Sequence, residues 1–189
     1  MSQLTKKAIV EVTMQLAQMR PLSKITVRDI VEACGITRNT FYYHFHDIYE
    51  VLEDVIDAKF ESLSGMWGKD PRGCAKELQG FCEEHRKILL NFYKTVGHDV
   101  IEKYLRQQMH AILMETLAAE NASYGVEEED LLLIAAFHEE ALTGLLLRFL
   151  KDEKETVSVS TLRWAEFFTA SVQACLACCS KRVEKNVNL

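Results

Sequence analysis

Residues 37–46 read TRNTFYYHFH. Arg38 carries a planar fork of five N–H donors, Asn39 pairs amide donors with an acceptor, and Thr40 adds a hydroxyl. Tyr42, Tyr43 and His44 follow, each an apolar ring with a polar tip. This set suits recognition of nucleic acid better than bond breaking. Arginine can hold guanine O6 and N7 together, and asparagine can do the same to adenine N7 and N6. Tyrosine hydroxyls and an imidazole N–H can donate to phosphate oxygens, which fixes register rather than sequence. Tyr42 suits the packed side of a helix as well as it suits a groove, whereas Tyr43 and His44 read as contacts.

Such residues work only if a rigid frame presents them, and the flanking sequence supplies one. Thr26 and Asp29 form a capping-box-like pair at the start of a short helix whose inner face is Ile30, Val31 and Cys34. Gly35 ends that helix, as a left-handed C-terminal position requires. Thr37 caps the next helix, over about 38–44, and Phe41 and Phe45, four apart, turn inward together. Two short helices around such a turn make a helix-turn-helix, whose second helix enters the major groove. Ahead of it, Leu4, Ala8, Val12, Leu16 and Met19 recur at helical spacing and predict an amphipathic helix over 3–19, stopped at Arg20-Pro21.

Charge agrees with this division. The net charge is −6, yet residues 1–46 hold six basic and three acidic residues, a net of +3 that leaves −9 for the remainder. A basic head on an acidic body points to a polyanion met by the head alone. The start, MSQLTKKAIVEV, lacks the apolar core of a signal peptide. Phe167–Cys179 is too short to span a bilayer, and Leu131–Leu147 carries His138, Glu139 and Glu140 at its centre. A cytoplasmic protein is expected, with no disulfide framework from its six cysteines.

The rest of the 189-residue chain reads as helices, so the fold class is all-α. Asp47 caps a long helix over 47–66 with an apolar stripe from Ile48 to Leu63. Asp70-Pro71 starts another. Helices are predicted over 71–84, 86–94, 98–120, 127–151 and 158–183. The last two are apolar on several sides and need covering on several sides. Two copies of each would form a four-helix bundle, with Gly144 allowing close approach, in a two-fold homodimer. Two recognition helices would then lie roughly 34–36 Å apart on a palindromic site.

The segment TVRDIVEACGITRNTFYYHFHDIYEVLEDVI resembles the DNA-binding domain of the TetR family of bacterial repressors, over about residues 4–56. The wording FYYHFHDIY is similar to a branch that includes regulators of dihydroxyacetone kinase genes. The resemblance implies a three-helix DNA-binding domain over 1–46 and a helical ligand-binding and dimerisation domain over 47–189. It implies a base or phosphate contact for Arg28 and base reading by Arg38, Asn39 and Thr40 beside the capping Thr37. It implies groove and phosphate contacts for Tyr42, Tyr43 and His44. The family often places a phosphate-holding lysine where Ile48 stands here, so Lys24 or His46 must supply that contact or it is absent.

A ligand-responsive repressor on double-stranded DNA is therefore expected, with a small-molecule inducer and no membrane partner or cofactor. Inducer-lining candidates are Phe60, Trp67, Phe81, His85, Phe92, Tyr93, Tyr104, Met109 and His110, each equally at home as core. An alternative trigger is metal binding or thiol oxidation at Cys175, Cys178 and Cys179, against which stands their use as small buried hydrophobes beside Ala174 and Ala177. No metal site is expected: His138-Glu139-Glu140 is not the zinc-binding H-E-x-x-H, because residue 142 is leucine. No phosphate-binding glycine loop or nucleophile motif points to an enzyme.

Overall fold

A computed structural model describes residues 2–67, 69–151 and 160–187, with no strand among them. It contains α1 (Ser2–Met19), a 3₁₀ turn (Leu22–Lys24), α2 (Val27–Cys34), α3 (Arg38–His44) and α4 (Ile48–Leu63). These are followed by α5 (Pro71–Val96), α6 (His98–Asn121), α7 (Glu128–Lys151) and α8 (Ser160–Val187). No described helix is long and apolar enough to cross a membrane.

The chain divides into two compact units, Met1–Lys59 with Glu84–Ile101, and Phe60–Glu83 with Glu102–Leu189. In the first, Ile9, Ile30, Phe41 and Val51 are wholly buried. Lys6 ties α1 to α4 by an ion pair of 2.5 Å to Asp54, its ammonium 5.4 Å from the centre of the Phe45 ring. Tyr49 stacks on Phe92 at 6.3 Å, joining α4 to the end of α5. In the second, Leu63, Leu113, Leu117, Ala135 and Leu176 form the centre of the core.

Two expectations are corrected. The inner line of α1 is not Leu4–Ala8–Val12–Leu16–Met19. Leu4 and Met19 are 78% exposed, and the buried line is Ile9, Thr13 and Ala17. Both lines repeat at helical spacing, and the one with small residues at 13 and 17 lets neighbouring helices approach closely. The helices expected at 71–84 and 86–94 are one 26-residue helix. Residues 83–87 contain no glycine or proline, and buried Cys82, Ile88 and Phe92 continue the face begun by Cys74 and Ala75. The long helix expected over 47–66 ends at Leu63.

The caps form as the side chains require. Thr26 Oγ1 accepts from the Asp29 amide at 3.2 Å, and the Thr26 amide donates to Asp29 Oδ2 at 2.8 Å. Gly35, at φ 66°, closes α2 with its N–H directed to Glu32 and Val31 carbonyls. Asp47 Oδ1 accepts from the amides of Tyr49 and Glu50 at 2.8 and 2.9 Å, capping α4. Asp70 Oδ1 does the same for Gly73, where an added Cβ would stand 2.1 Å from Asp70 Oδ2.

Hydrogen bonds from the Thr26 hydroxyl and backbone, helped by Arg20, hold the Asp29 carboxyl below its usual range. Its contribution is therefore fully present above the unfolded carboxylate value, and it is lost as pH falls through the lowered folded value. The urea midpoints of wild type and Asp29→Asn should differ at neutral pH and converge in acid. Thr26→Ala should cost about 1 kcal/mol at neutral pH.

Candidate nucleic-acid interface and effector cavity

α3 is held from within by Phe41 and Phe45, which are 0% and 3% exposed and lie 6.2 Å apart between ring centres. That packing turns Arg38, Asn39, Tyr42 and Tyr43 outward, all four exposed. Tyr42 thus lies on the open face, although its ring still meets Phe41 edge-on at 5.6 Å. His44 is half-buried with its ring edge-on to Tyr43 at 5.0 Å. Thr37 is occupied as the cap: its hydroxyl accepts from the Thr40 amide at 3.1 Å and meets the Thr40 hydroxyl at 2.8 Å. That bond sets the start of α3.

The charges of this unit are more committed than the sequence suggests. Arg28 is exposed, but its Nε lies 2.6 Å from Glu32 Oε1, and that carboxylate raises the guanidinium pKa further. Arg20 is 3.0 Å from Asp29, and Lys7 is 3.8 Å from Glu11. With Lys6 on Asp54, four of the six lysines and arginines of residues 1–46 face carboxylates. Lys24 and Arg38 form no ion pair among the described residues. Ile48 is half-buried, and Lys24 and His46 are exposed. Burial, then Asp47, Asp57 and Glu50, push the Glu53 carboxyl up. This marks a negative flank on α4 that would repel a polyanion. Burial also pushes the Cys34 thiol up, which keeps it protonated and unreactive.

The second unit contains a cavity of about 90 Å³. Its wall takes Phe60 and Leu63 from α4, Trp67 beyond it, five residues of α5 from Cys74 to Cys82, and Met109, Ile112 and Leu113 from α6. α7 adds Leu142, Leu145 and Leu146, and α8 adds Trp164, Ala165 and Phe168. Of the nine candidates, Phe60, Trp67 and Met109 meet here. Phe81 and Tyr104 are half-buried off the wall. His85, Phe92 and Tyr93 belong to the other unit, where Phe92 packs on Tyr49 and Tyr93 stacks on His98 at 4.3 Å. His110 is exposed, its Nδ1 3.1 Å from Glu139. The α7 and α8 part of the wall escapes sequence reasoning, because those leucines and aromatics read equally well as a subunit interface.

The remaining sequence candidates separate. His138 is 2% exposed, its Nδ1 2.7 Å from the Ile134 carbonyl and its Nε2 2.9 Å from Ser171 Oγ. Glu139 turns to His110, and Glu140 lies 2.8 Å from Arg106. Cys175 and Cys179 pack against the core while Cys178 is exposed. No group that could hold a metal ion occurs among the described residues. The outer faces of α7 and α8 expose Leu133, Phe137 and Phe167, at 68%, 66% and 78%.

Two family models match the chain. One, described as bacterial regulatory proteins of the tetR family, covers residues 9–55. The other, described as a transcriptional regulator C-terminal region, covers residues 69–167. Among curated proteins, the HTH-type transcriptional regulator TtgR of Pseudomonas putida is 24% identical over 116 residues, 58% of this chain and 50% of that protein. The probable HTH-type transcriptional regulator ArpR of Pseudomonas putida matches with the same identity and coverage. The chain therefore spans about half the length of these relatives. Among solved structures, the dihydroxyacetone kinase operon activator DhaS superposes with a TM-score of 0.70 over 93% of this chain and 97% of that one. At 16% identity this likeness establishes the fold. With family models matched to both the helix-turn-helix and more than half of the chain, this protein belongs to the tetR family of bacterial regulatory proteins.

Proposed function

We propose that the protein is a cytoplasmic, sequence-specific regulator of transcription that binds double-stranded DNA as a homodimer and represses until a small molecule releases it. The observation that carries this reading is the outward face of α3. Arg38, Asn39, Tyr42 and Tyr43 stand exposed on a helix fixed by a cap and two buried phenylalanines. Arg38 and Asn39 read bases. Tyr42, Tyr43 and His44 hold the backbone, with Thr40 at the base-reading end, and Lys24 supplies the phosphate contact that Ile48 cannot.

The exposed aromatic faces of α7 and α8 support dimerisation, since large apolar patches on a soluble protein mark interaction sites. Residues 1–46 form the reading head, and 47–189 the regulatory part. The cavity supports effector binding. α4 carries Val51 among the residues that seat the head and Phe60 on the cavity wall. A shift of this one helix can therefore favour one of two arrangements of the head. The effector acts only to the extent that it prefers the released arrangement.

Footprinting on the protein's own promoter should show a two-fold symmetric protected segment, and transcription from it in vitro should fall as protein is added. An asymmetric footprint, or a rise in transcript, would overturn the dimeric repressor. Arg28 offers a second check. Glu32→Gln frees its guanidinium and removes a negative charge from the DNA side. DNA affinity should rise about fivefold, and the salt dependence should steepen by about one phosphate per subunit. Anisotropy titrations at several salt concentrations would measure both.

A further inference from the structure

We infer that the groove beside Gly144 on α7 seats the Phe137 ring of a second copy of the chain, so that the two α7 helices of the dimer run antiparallel. This rests on the homodimer reading above and gives it a register.

On α7, positions 129, 133, 137, 140, 144, 148 and 151 return at steps of three and four and share one face. The residue at every one of them is exposed. The face changes character along its length. Its start is acidic, with Glu128, Glu129 and Asp130 in the first turn, and its end is basic, with Arg148 and Lys151 in the last. Between the two ends stands the Phe137 ring, 66% exposed. Two turns further on, Gly144 is a gap, since a Cβ built there meets nothing within 4 Å. Gly144 lies in a groove of about 560 Å³, ample for a phenyl ring, with Thr143 and Leu147 beside it and Arg106 and Glu140, 2.8 Å apart, also on its wall. A glycine inside a helix costs stability relative to alanine, and close approach of another surface is what it gives in return.

A two-fold axis lets one helix face meet its own copy in two ways. If the helices run parallel, each residue meets itself. Acid then faces acid at one end, base faces base at the other, and the two glycines face each other across a void. If they run antiparallel about an axis beside residues 140 and 141, the acidic first turn of each helix lies opposite the basic last turn of the other. Phe137 then falls on the partner subunit's Gly144, and the contact is made twice. Charge and shape therefore favour the same orientation. Lys151 Nζ is 3.9 Å from Glu102 in its own chain, beyond hydrogen-bond reach, so it is able to turn to a carboxylate across the interface. An aromatic ring buried in such a groove brings a large contact area at a low entropy cost.

Sedimentation equilibrium of the full-length protein and four variants tests this. Gly144→Leu should keep the fold, because leucine favours a helix more than glycine does and its Cβ enters open space. It fills the seat, however, and the dimer dissociation constant should rise about 100-fold or more. Gly80→Leu makes the same exchange at an exposed glycine of α5 with equally open space, and it should leave the dimer unchanged. Phe137→Ala should weaken the dimer by about 100-fold. Phe137→Ala/Gly144→Leu should dimerise about tenfold more tightly than Gly144→Leu alone, because the leucine takes the space that the ring gave up. Within one chain the two positions are about 10.5 Å apart along the helix, so this coupling reports a contact between subunits. A Gly144→Leu protein that dimerises like wild type, or single effects that merely multiply in the double variant, would overturn the register while leaving the dimer in place. A wild-type protein that stays monomeric at the highest concentration reached would overturn the dimer, and the register with it.

Discussion

Replacing Phe41 by alanine should destabilise the protein by about 3–5 kcal/mol, the usual cost of truncating a fully buried phenylalanine. Phe41 is 0% exposed, and it meets Tyr42 and Phe45 in ring contacts. Its loss leaves a cavity beneath a helix of only seven residues. A helix that short has little stability of its own and depends on what it packs against. Urea unfolding would show the drop, and DNA binding should disappear with it. Tyr43→Ala is the informative contrast. Tyr43 is 78% exposed, so its removal should change stability by no more than about 0.5 kcal/mol while still weakening DNA binding. A stable Phe41→Ala protein with intact binding would mean that α3 is not seated by this residue.

The second large effect concerns the outer faces of α7 and α8. The double variant Phe137→Asp/Phe167→Asp should yield a folded monomer in sedimentation, because both rings are exposed in the single chain and neither holds its core. Its affinity for a two-half-site operator should fall about 100- to 10,000-fold. Each head would then bind its half-site alone, without the effective concentration that a linked partner provides. A variant that remains dimeric would place the subunit contact elsewhere on the molecule.

The head was readable in the sequence because local chemistry determines it. Thr26 and Asp29, Gly35, Thr37 and Asp47 each act within four residues of themselves, and all form the caps their types require. The inward pair Phe41 and Phe45 followed from helical spacing alone. The face of α1 did not, because two apolar lines share one helix and only its neighbours choose between them. The continuity of α5 was obscured by the charged run Glu83–Lys87, which continues one helix, with Glu83, Glu84 and Lys87 exposed and His85 and Arg86 half-buried.

The cavity was the least legible feature. Aromatic type alone cannot tell a wall residue from an ordinary core residue. Phe92 and Tyr93 stack within the first unit, while plain leucines of α7 line the second. The ion pairs of the first unit were partly hidden: Lys7–Glu11 and Arg28–Glu32 stand at the i,i+4 spacing of a helix, but Lys6–Asp54 does not. Lys6 and Asp54 are 48 positions apart, and no local pattern joins them.

The most direct test of the account is a titration of the protein against duplex from its own promoter region, with a random duplex and the Tyr43→Ala/His44→Ala variant beside it, at several salt concentrations. The account predicts tight binding to the promoter duplex, weak binding to the random one, and loss of the difference in the variant. Among the described residues, Lys24 and Arg38 are the cations of each head not engaged by carboxylates. Lys24 is the one assigned to a phosphate and Arg38 to bases, so the log–log salt slope for the dimer should be near −1.8, about −0.9 for each of roughly two neutralised phosphates. Equal affinity of wild type and variant for the promoter duplex, or no binding at low salt by a folded dimer, would contradict the claim that the exposed face of α3 reads DNA.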